Sequence, residues 1–493
     1  MSIQHLPAFV IITPLLAAYI ILLVGPKYYR FARAASLAAC SLLTIFTFIL
    51  LFETASGGTV VYHFGGWAPP WGIELYIDRI TGFFLSIVAG ITLLVVTFAA
   101  GTLEKEIRTE VVGQYYALLL ILTASLLGIA ASNDIFNIFV FLEISSVSAA
   151  ALVAVNGNKT AMEASVKYII LSTLGSGSVL LAIANIYMVT GYLNLGYIAE
   201  ALPVAYADYP LNILASLGLL MVGLAVKAAL YPLHVWLPDA HGSAPTASSA
   251  ILSGLVVKVY IIMFVKFIFR IFPIAFIEMM PIQASLLVMS TLGILMGSIL
   301  AIRQTDIKKM LAYSTVAQIG YIFLGLGVLT PNAVTGSLLH ILNHAVMKSM
   351  LFLSAGAIIK LTGIRELNRL DGVGRVHPIP MLAFSLGALA MIGIPPLNGF
   401  VSKWYLGLGA LDAGQPLLVV VILVSSFLNG LYYLPIIIRA FFGKEPQFTE
   451  QKHLPLGVAI SLVTLAVATV FFGLFSNLPV HYLTPAIQAL FGN

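Results

Sequence analysis

Polar residues are sparse along this chain and gather between long apolar runs. About 20 apolar residues suffice to cross a hydrocarbon core, and on that measure the pattern predicts about fourteen spans. They lie near 6–24, 32–52, 80–101, 113–131, 134–155, 163–189, 210–230, 245–268, 281–302, 307–328, 333–359, 379–409, 416–440 and 454–476, with the twelfth interrupted. The run from Leu6 to Val24 is long enough to span and lacks a small-residue cleavage site, so it reads as a first transmembrane helix and not a removable leader. The stretch 478–491 is short, carries Pro479 and Pro485, and is expected at the interface. Only the loops near 53–79 and 360–377 have room for small ordered caps.

The pattern also repeats. Asp134-Ile135 opens the fifth span and Asp306-Ile307 the tenth, 172 residues later. Thr190-Gly191 ends the sixth and Thr362-Gly363 the eleventh, again 172 apart. Two Pro-Leu breaks follow at a slightly shorter offset, Pro232-Leu233 and Pro396-Leu397. Five spans is an odd number, so a five-span repeat returns inverted, and paired broken helices in inverted repeats point to an ion or substrate site at the midplane. The expected fold is therefore an all-α integral membrane protein with two inverted five-helix repeats and two broken helices. Its expected divisions are 1–112 for the first three helices, 113–272 and 273–445 for the repeats, and 446–493 for a last helix and tail.

Loop charges set an orientation. Lys27, Arg30 and Arg33 follow the first span, Lys105 and Arg108 the third, and Lys159 the fifth. Arg303, Lys308 and Lys309 follow the ninth, Lys360, Arg365, Arg369 and Arg375 the eleventh, and Lys444 and Lys452 the thirteenth. The opposite loops hold Glu53, Glu74, Asp78, Glu200, Asp208 and Asp412. The positive-inside rule then places the chain in the cell membrane with both termini outward. Lys266 and Arg270 break the rule and are read as an extension of the eighth helix.

Composition agrees with this class. The chain has 493 residues, 60% hydrophobic and 9% charged, and a mean hydropathy of +1.04. The net charge of +5 sits mostly in those loops and reflects topology, not nucleic-acid binding. Cys40 is the one cysteine, which excludes an internal disulfide and a thiolate set for iron–sulfur or zinc. The nine histidines show no metal-site spacing. No cofactor or metal is expected, and any electron transfer belongs on another subunit.

Candidate chemistry lies where charge enters the spans. A formal charge in mid-membrane costs several kcal/mol unless a partner or water offsets it. Lys227 sits in the apolar run 219–230, just before the Tyr231-Pro232 break. Glu143 lies near the middle of the fifth span and is its natural partner. An isolated carboxylate there would take up a proton; beside a lysine it can stay ionised. The pair reads as a switch that releases or captures a proton when its members separate, the alternative being a permanent structural ion pair. Lys258 is a second amine in the same half, deep in the eighth span, with snorkelling to the interface as its alternative.

His234 and His241 lie in the loop 233–245, where Pro232, Pro238, Gly242 and Pro245 are expected to keep the backbone irregular around a lined cavity. With Asp239 they lack the spacing of a metal site. His340, His344 and Lys348 recur at i, i+4 and i+8 in the eleventh span, over about 12 Å of helix axis. They read as a relay through single waters, against three buried groups satisfied by packing, and Asn343 either joins them or caps a contact. Lys403, beyond the Pro395-Pro396 break, reads as an exit group or as a lysine held at the opposite interface. Glu163 and Lys167 form a structural i, i+4 pair.

Three segments resemble a known family. Residues 231–241 (YPLHVWLPDAH), 306–321 (DIKKMLAYSTVAQIGY) and 393–400 (GIPPLNGF) are similar to antiporter-like membrane subunits. These occur in Mrp-type sodium/proton antiporters, respiratory complex I and membrane-bound hydrogenases. The resemblance runs roughly from the third span to the thirteenth. It implies fourteen helices, two inverted repeats and a midplane row: Glu143 and Lys227 as a pair, Lys258 with the eleventh-helix histidines as central relay, and Lys403 as terminal group. The larger subunits of the family carry a long C-terminal addition that is not seen here, and a lysine, not a glutamate, follows the Pro-Pro break. The length resembles the D-type antiporter subunit or the shorter antiporter-like subunits of complex I and hydrogenase; the lysine agrees with the D-type form and leaves a hydrogenase-type complex open. The function expected is proton translocation within a multisubunit complex, with other membrane subunits as partners and protons, with or without sodium, as cargo. Redox-driven pumping beside hydrogenase or dehydrogenase subunits is the alternative, and a purely structural subunit the third.

Overall fold

The structure is a computed structural model and describes residues 3–24, 28–445 and 453–492. Lys27 and Lys452, two of the loop charges, lie outside the described residues. Among the described residues, 13 helices are long and apolar enough to cross a membrane. The interrupted span adds the shorter Pro378–Ile392 helix, followed by Asn398–Asp412. Helices dominate because a backbone in hydrocarbon must satisfy its own N–H and C=O groups.

The chain divides into two compact units, one of residues 1–93, 107–228 and 256–280, the other of 94–106, 229–255 and 281–493. In the first unit the 53–79 loop forms an antiparallel hairpin, Val60–His63 against Glu74–Ile77. The Glu74 carboxylate accepts hydrogen bonds from the Asn133 amide at 2.7 Å and the Asn194 amide at 3.3 Å. Arg270 donates to Asn133 at 2.6 Å and pairs with Asp78 at 2.9 Å. Lys266 donates to the carbonyls of Ala130 and Ser132. This explains the two cations that broke the loop-charge rule: they extend the eighth helix, as expected, and are spent on internal partners. Leu195–Asp208 is a helix the apolar pattern did not mark, being only 14 residues long.

In the second unit, loop cations again serve the fold. Lys308 is buried and donates to the Ala244 carbonyl at 2.6 Å, and Arg365 to that of Gly242 at 2.8 Å. The 233–245 segment is less irregular than expected. Leu237–Ser243 is a short helix, because Pro238 falls in its first turn, where a missing N–H costs nothing.

The repeat holds at the level of single bonds. The helices Lys159–Thr190 and Pro331–Thr362 each have 32 residues, with bounds offset by 172, and both end on a left-handed glycine. The Asp134 carboxylate caps its helix by accepting from the Asn137 N–H at 2.7 Å; that of Asp306 accepts from Lys308 and Lys309. The Ile135 N–H donates to the Leu193 carbonyl, and the Ile307 N–H to that of Arg365, each partner again 172 further on. The Ser165 hydroxyl reaches the Ala150 carbonyl at 2.8 Å, and that of Ser337 the Ile322 carbonyl at 2.8 Å.

Asp306 both caps its helix and pairs with Arg365 at 2.8 Å. Replacing it with Ala is expected to cost about 1 kcal/mol, the usual worth of an N-cap, and to lower the melting temperature of the purified protein. Asp306→Asn keeps the capping oxygen and should lose less. Equal melting of the wild type and Asp306→Ala would contradict the assignment.

Candidate functional site

The Pro210–Lys227 helix stops at Lys227, so its amine belongs to the residue at the negative end of the helix dipole. Lys227 is buried. Its Nζ donates to Ser146 Oγ at 2.6 Å and Ser172 Oγ at 2.7 Å, and stands 3.8 Å from Glu143 Oε1. The two serines, not the carboxylate, make the direct hydrogen bonds. The pair is also asymmetric, since the Lys227 side chain is 1% exposed and that of Glu143 37%. Glu143 shares an outward stripe of the Ile135–Ala154 helix with Phe136, Val140 and Val147. The Tyr260 ring lies 5.9 Å from the amine, and its hydroxyl bonds Ser145 at 2.8 Å. Lys258 follows a π turn over Leu252–Val256 and is 2% exposed.

The second unit places Lys403 at another helix end. The Pro378–Ile392 helix closes at Gly393, and the Lys403 amine donates to the carbonyls of Met391 at 2.9 Å and Ile392 at 3.0 Å, and to Ser426 Oγ at 3.0 Å. A cation on terminal carbonyls is favoured by both charge and hydrogen bonding. Lys403 is therefore held by partners inside its own unit.

Tyr321 joins Lys403 to the eleventh-span row: its ring centroid is 4.8 Å from the Lys403 amine and 5.6 Å from the His340 ring. His340 bonds Ser402 Oγ through Nδ1 at 2.8 Å and Gln318 Oε1 through Nε2 at 3.0 Å. His344 stacks on His340 at 5.7 Å. Lys348 donates to the Leu311 carbonyl at 2.7 Å and to the Ser314 hydroxyl. Ser314 in turn bonds the Tyr433 hydroxyl at 3.1 Å.

His234 stacks on Tyr231 at 5.2 Å, and His241 lies against Phe352 at 5.2 Å. Asn343 donates to the Asn398 carbonyl at 2.8 Å, which makes it a contact across the break. Glu163 forms an exposed pair with Lys159 at 3.8 Å. Among the described residues no three His, Cys, Asp or Glu side chains converge to hold a metal ion.

The sequence reading named the ionisable groups but missed the neutral ones that hold them: Ser146, Ser172, Ser314, Ser402, Ser426, Gln318 and Tyr321. Serine is common in membrane helices and gives little signal alone.

Fold and site together define a polytopic membrane protein that keeps amines and imidazoles buried, with Lys227 and Lys403 at the ends of interrupted helices. Residues 132–429 match the NADH:quinone oxidoreductase/Mrp antiporter transmembrane family, and the chain belongs to that family. It is 38% identical to NADH-quinone oxidoreductase subunit N of Desulforudis audaxviator (strain MP104C), over 96% of each chain. A chain of the Mrp complex from Dietzia sp. DQ12-45-1b superposes with a TM-score of 0.89 at 27% identity, covering 100% of this chain and 98% of that one. A chain of the membrane-bound sulfane sulfur reductase, an archaeal respiratory membrane complex, gives 0.88 at 30% identity, covering 99% and 98%.

Gly393 tests the geometry. Its φ is +96°, and an added Cβ would stand 3.1 Å from Lys403 Cδ. Gly393→Ala is expected to destabilise the protein by about 1–3 kcal/mol, the cost of a strained backbone residue. Gly407 has open space around its Cα, and Gly407→Ala should leave the melting temperature unchanged or raise it. Equal effects of the two substitutions would show that the Lys403 pocket is not packed as described.

Proposed function

We propose that this chain is a proton-translocating antiporter-like subunit of a multisubunit complex in the cell membrane, with both termini outward. Its proton-bearing groups are Glu143, Lys227 and Lys258 in one unit and His340, His344, Lys348 and Lys403 in the other, with His234 and His241 in supporting roles. The observation that carries this reading is Lys227: a buried amine at the end of a broken helix, bonded to two neutral hydroxyls, with a carboxylate 3.8 Å away. An ammonium in a structural ion pair would be expected in direct contact with its carboxylate. A neutral hydroxyl can serve either charge state, accepting from an ammonium or donating to an amine.

The energies match the task. Moving one charge through 100 mV is worth about 2.3 kcal/mol, and one pH unit about 1.4 kcal/mol. Shifts of several pK units on changing a partner's distance are within the range of buried ionisable groups. Other membrane subunits are the partners, protons the cargo, and exchange for sodium the coupled movement in an Mrp-type complex. A second reading, redox-driven pumping, is favoured by the 38% identity to a NADH-quinone oxidoreductase subunit over nearly the whole chain. Copurifying iron–sulfur or nickel subunits would decide for it.

In vesicles holding the whole complex, Lys227→Ala is expected to abolish proton movement read with a pH-sensitive acridine dye, while the complex still assembles. Wild-type movement in that variant would leave this chain a structural role only.

A further inference from the structure

The offset of 172 that relates the repeats extends inside the Lys159–Thr190 helix. Applied to Tyr168, Ser172 and Ser176, it lands on His340, His344 and Lys348. The two helices share bounds and end caps under this offset, and the Ser165 and Ser337 bonds show that their faces correspond. Tyr168, Ser172 and Ser176 are 1%, 3% and 2% exposed. Their i, i+4, i+8 spacing puts them on one face. Each row also meets the broken helix of its own unit, through His340 and Ser402 at 2.8 Å in one case and through Ser172 and Lys227 at 2.7 Å in the other.

We propose that Tyr168, Ser172 and Ser176 are the hydroxyl counterpart of the histidine–lysine row, and that Ser172 is the group through which Lys227 gains and returns its proton. This rests on the reading of Lys227 as a proton carrier. Of the two serines on the amine, Ser146 donates its own hydrogen to the Leu142 carbonyl at 2.8 Å, so its proton is engaged in the helix. Ser172 is the one that lies on the face carried over from the histidine–lysine row.

In the return step an N–H bond of the Lys227 ammonium breaks as an O–H bond forms on Ser172. The original Ser172 proton passes to a water molecule, which leaves as hydronium. Lys227 ends as a neutral amine and Ser172 is unchanged. A hydroxyl passes protons in this way without keeping a charge, whereas an imidazole can hold one. The hydroxyl row of the first unit therefore stores no charge, which stays on Glu143, Lys227 and Lys258.

The test uses the whole complex in proteoliposomes, with a potassium diffusion potential set by valinomycin and proton uptake read with an acridine dye. Ser172→Ala is expected to slow uptake about tenfold or more, within the range for losing one proton-transfer group, with assembly intact. Ser172→Thr, which keeps the hydroxyl, should return uptake to near wild type. Ser172→Asn can still solvate the amine but cannot relay a proton, and should remain slow. Ser165→Ala, on the same helix, should match wild type. If Ser172→Ala or Ser172→Asn transports normally while Lys227→Ala does not, Ser172 only solvates the amine and this inference falls alone. If Lys227→Ala also transports normally, the underlying reading falls with it.

Discussion

An amine kept out of water without being locked to a carboxylate is the constraint on which the rest of this structure depends. Each buried lysine at a break is associated with the C-terminal end of an interrupted helix, where carbonyls run out of intrahelical donors and the dipole is negative. Lys227 closes its own helix, and Lys403 reaches back to the last carbonyls of the Pro378–Ile392 helix. At Lys403 the break supplies carbonyl partners directly, and at Lys227 it supplies the negative end of the dipole. A tight ion pair would instead hold one charge state.

Neutral partners follow from the same constraint. Serines, glutamine and tyrosine surround Lys227, Lys348, Lys403 and His340 at hydrogen-bonding or ring-contact distance. Such groups satisfy a buried nitrogen whether or not it carries its proton, so neither state leaves a polar atom stranded. Glu143 stands apart, at 3.8 Å and partly exposed on its helix. It acts on Lys227 through charge and leaves the bonding to the serines.

Much of this was legible in the sequence. Apolar length alone located the spans within a few residues, because a hydrocarbon slab permits little besides helices of about that length. The 172-residue offset of Asp134/Asp306 and Thr190/Thr362 located the repeat, since caps are tied to particular residue types. The cost of burying charge singled out Glu143, Lys227, Lys258 and Lys403. The hydroxyl partners were not legible one by one, because a serine in an apolar helix usually bonds its own backbone, as Ser145 and Ser146 also do. The 53–79 loop was expected to have room for an ordered cap but not specifically a hairpin, and the Leu195–Asp208 helix was missed because it is too short to register as an apolar span. Lys266 and Lys308 looked like loop charges, yet they bond buried carbonyls, a distinction that only tertiary contacts reveal.

The most direct measurement is a cryo-electron microscopy map of the whole complex in lipid, at a resolution that shows ordered water around side-chain nitrogens. The account predicts the Lys227 amine between Ser146 and Ser172 and the Lys403 amine on the Met391 and Ile392 carbonyls, each within hydrogen-bonding reach. Amines found extended toward lipid headgroups, or Lys227 in direct contact with Glu143 and away from both serines, would contradict it.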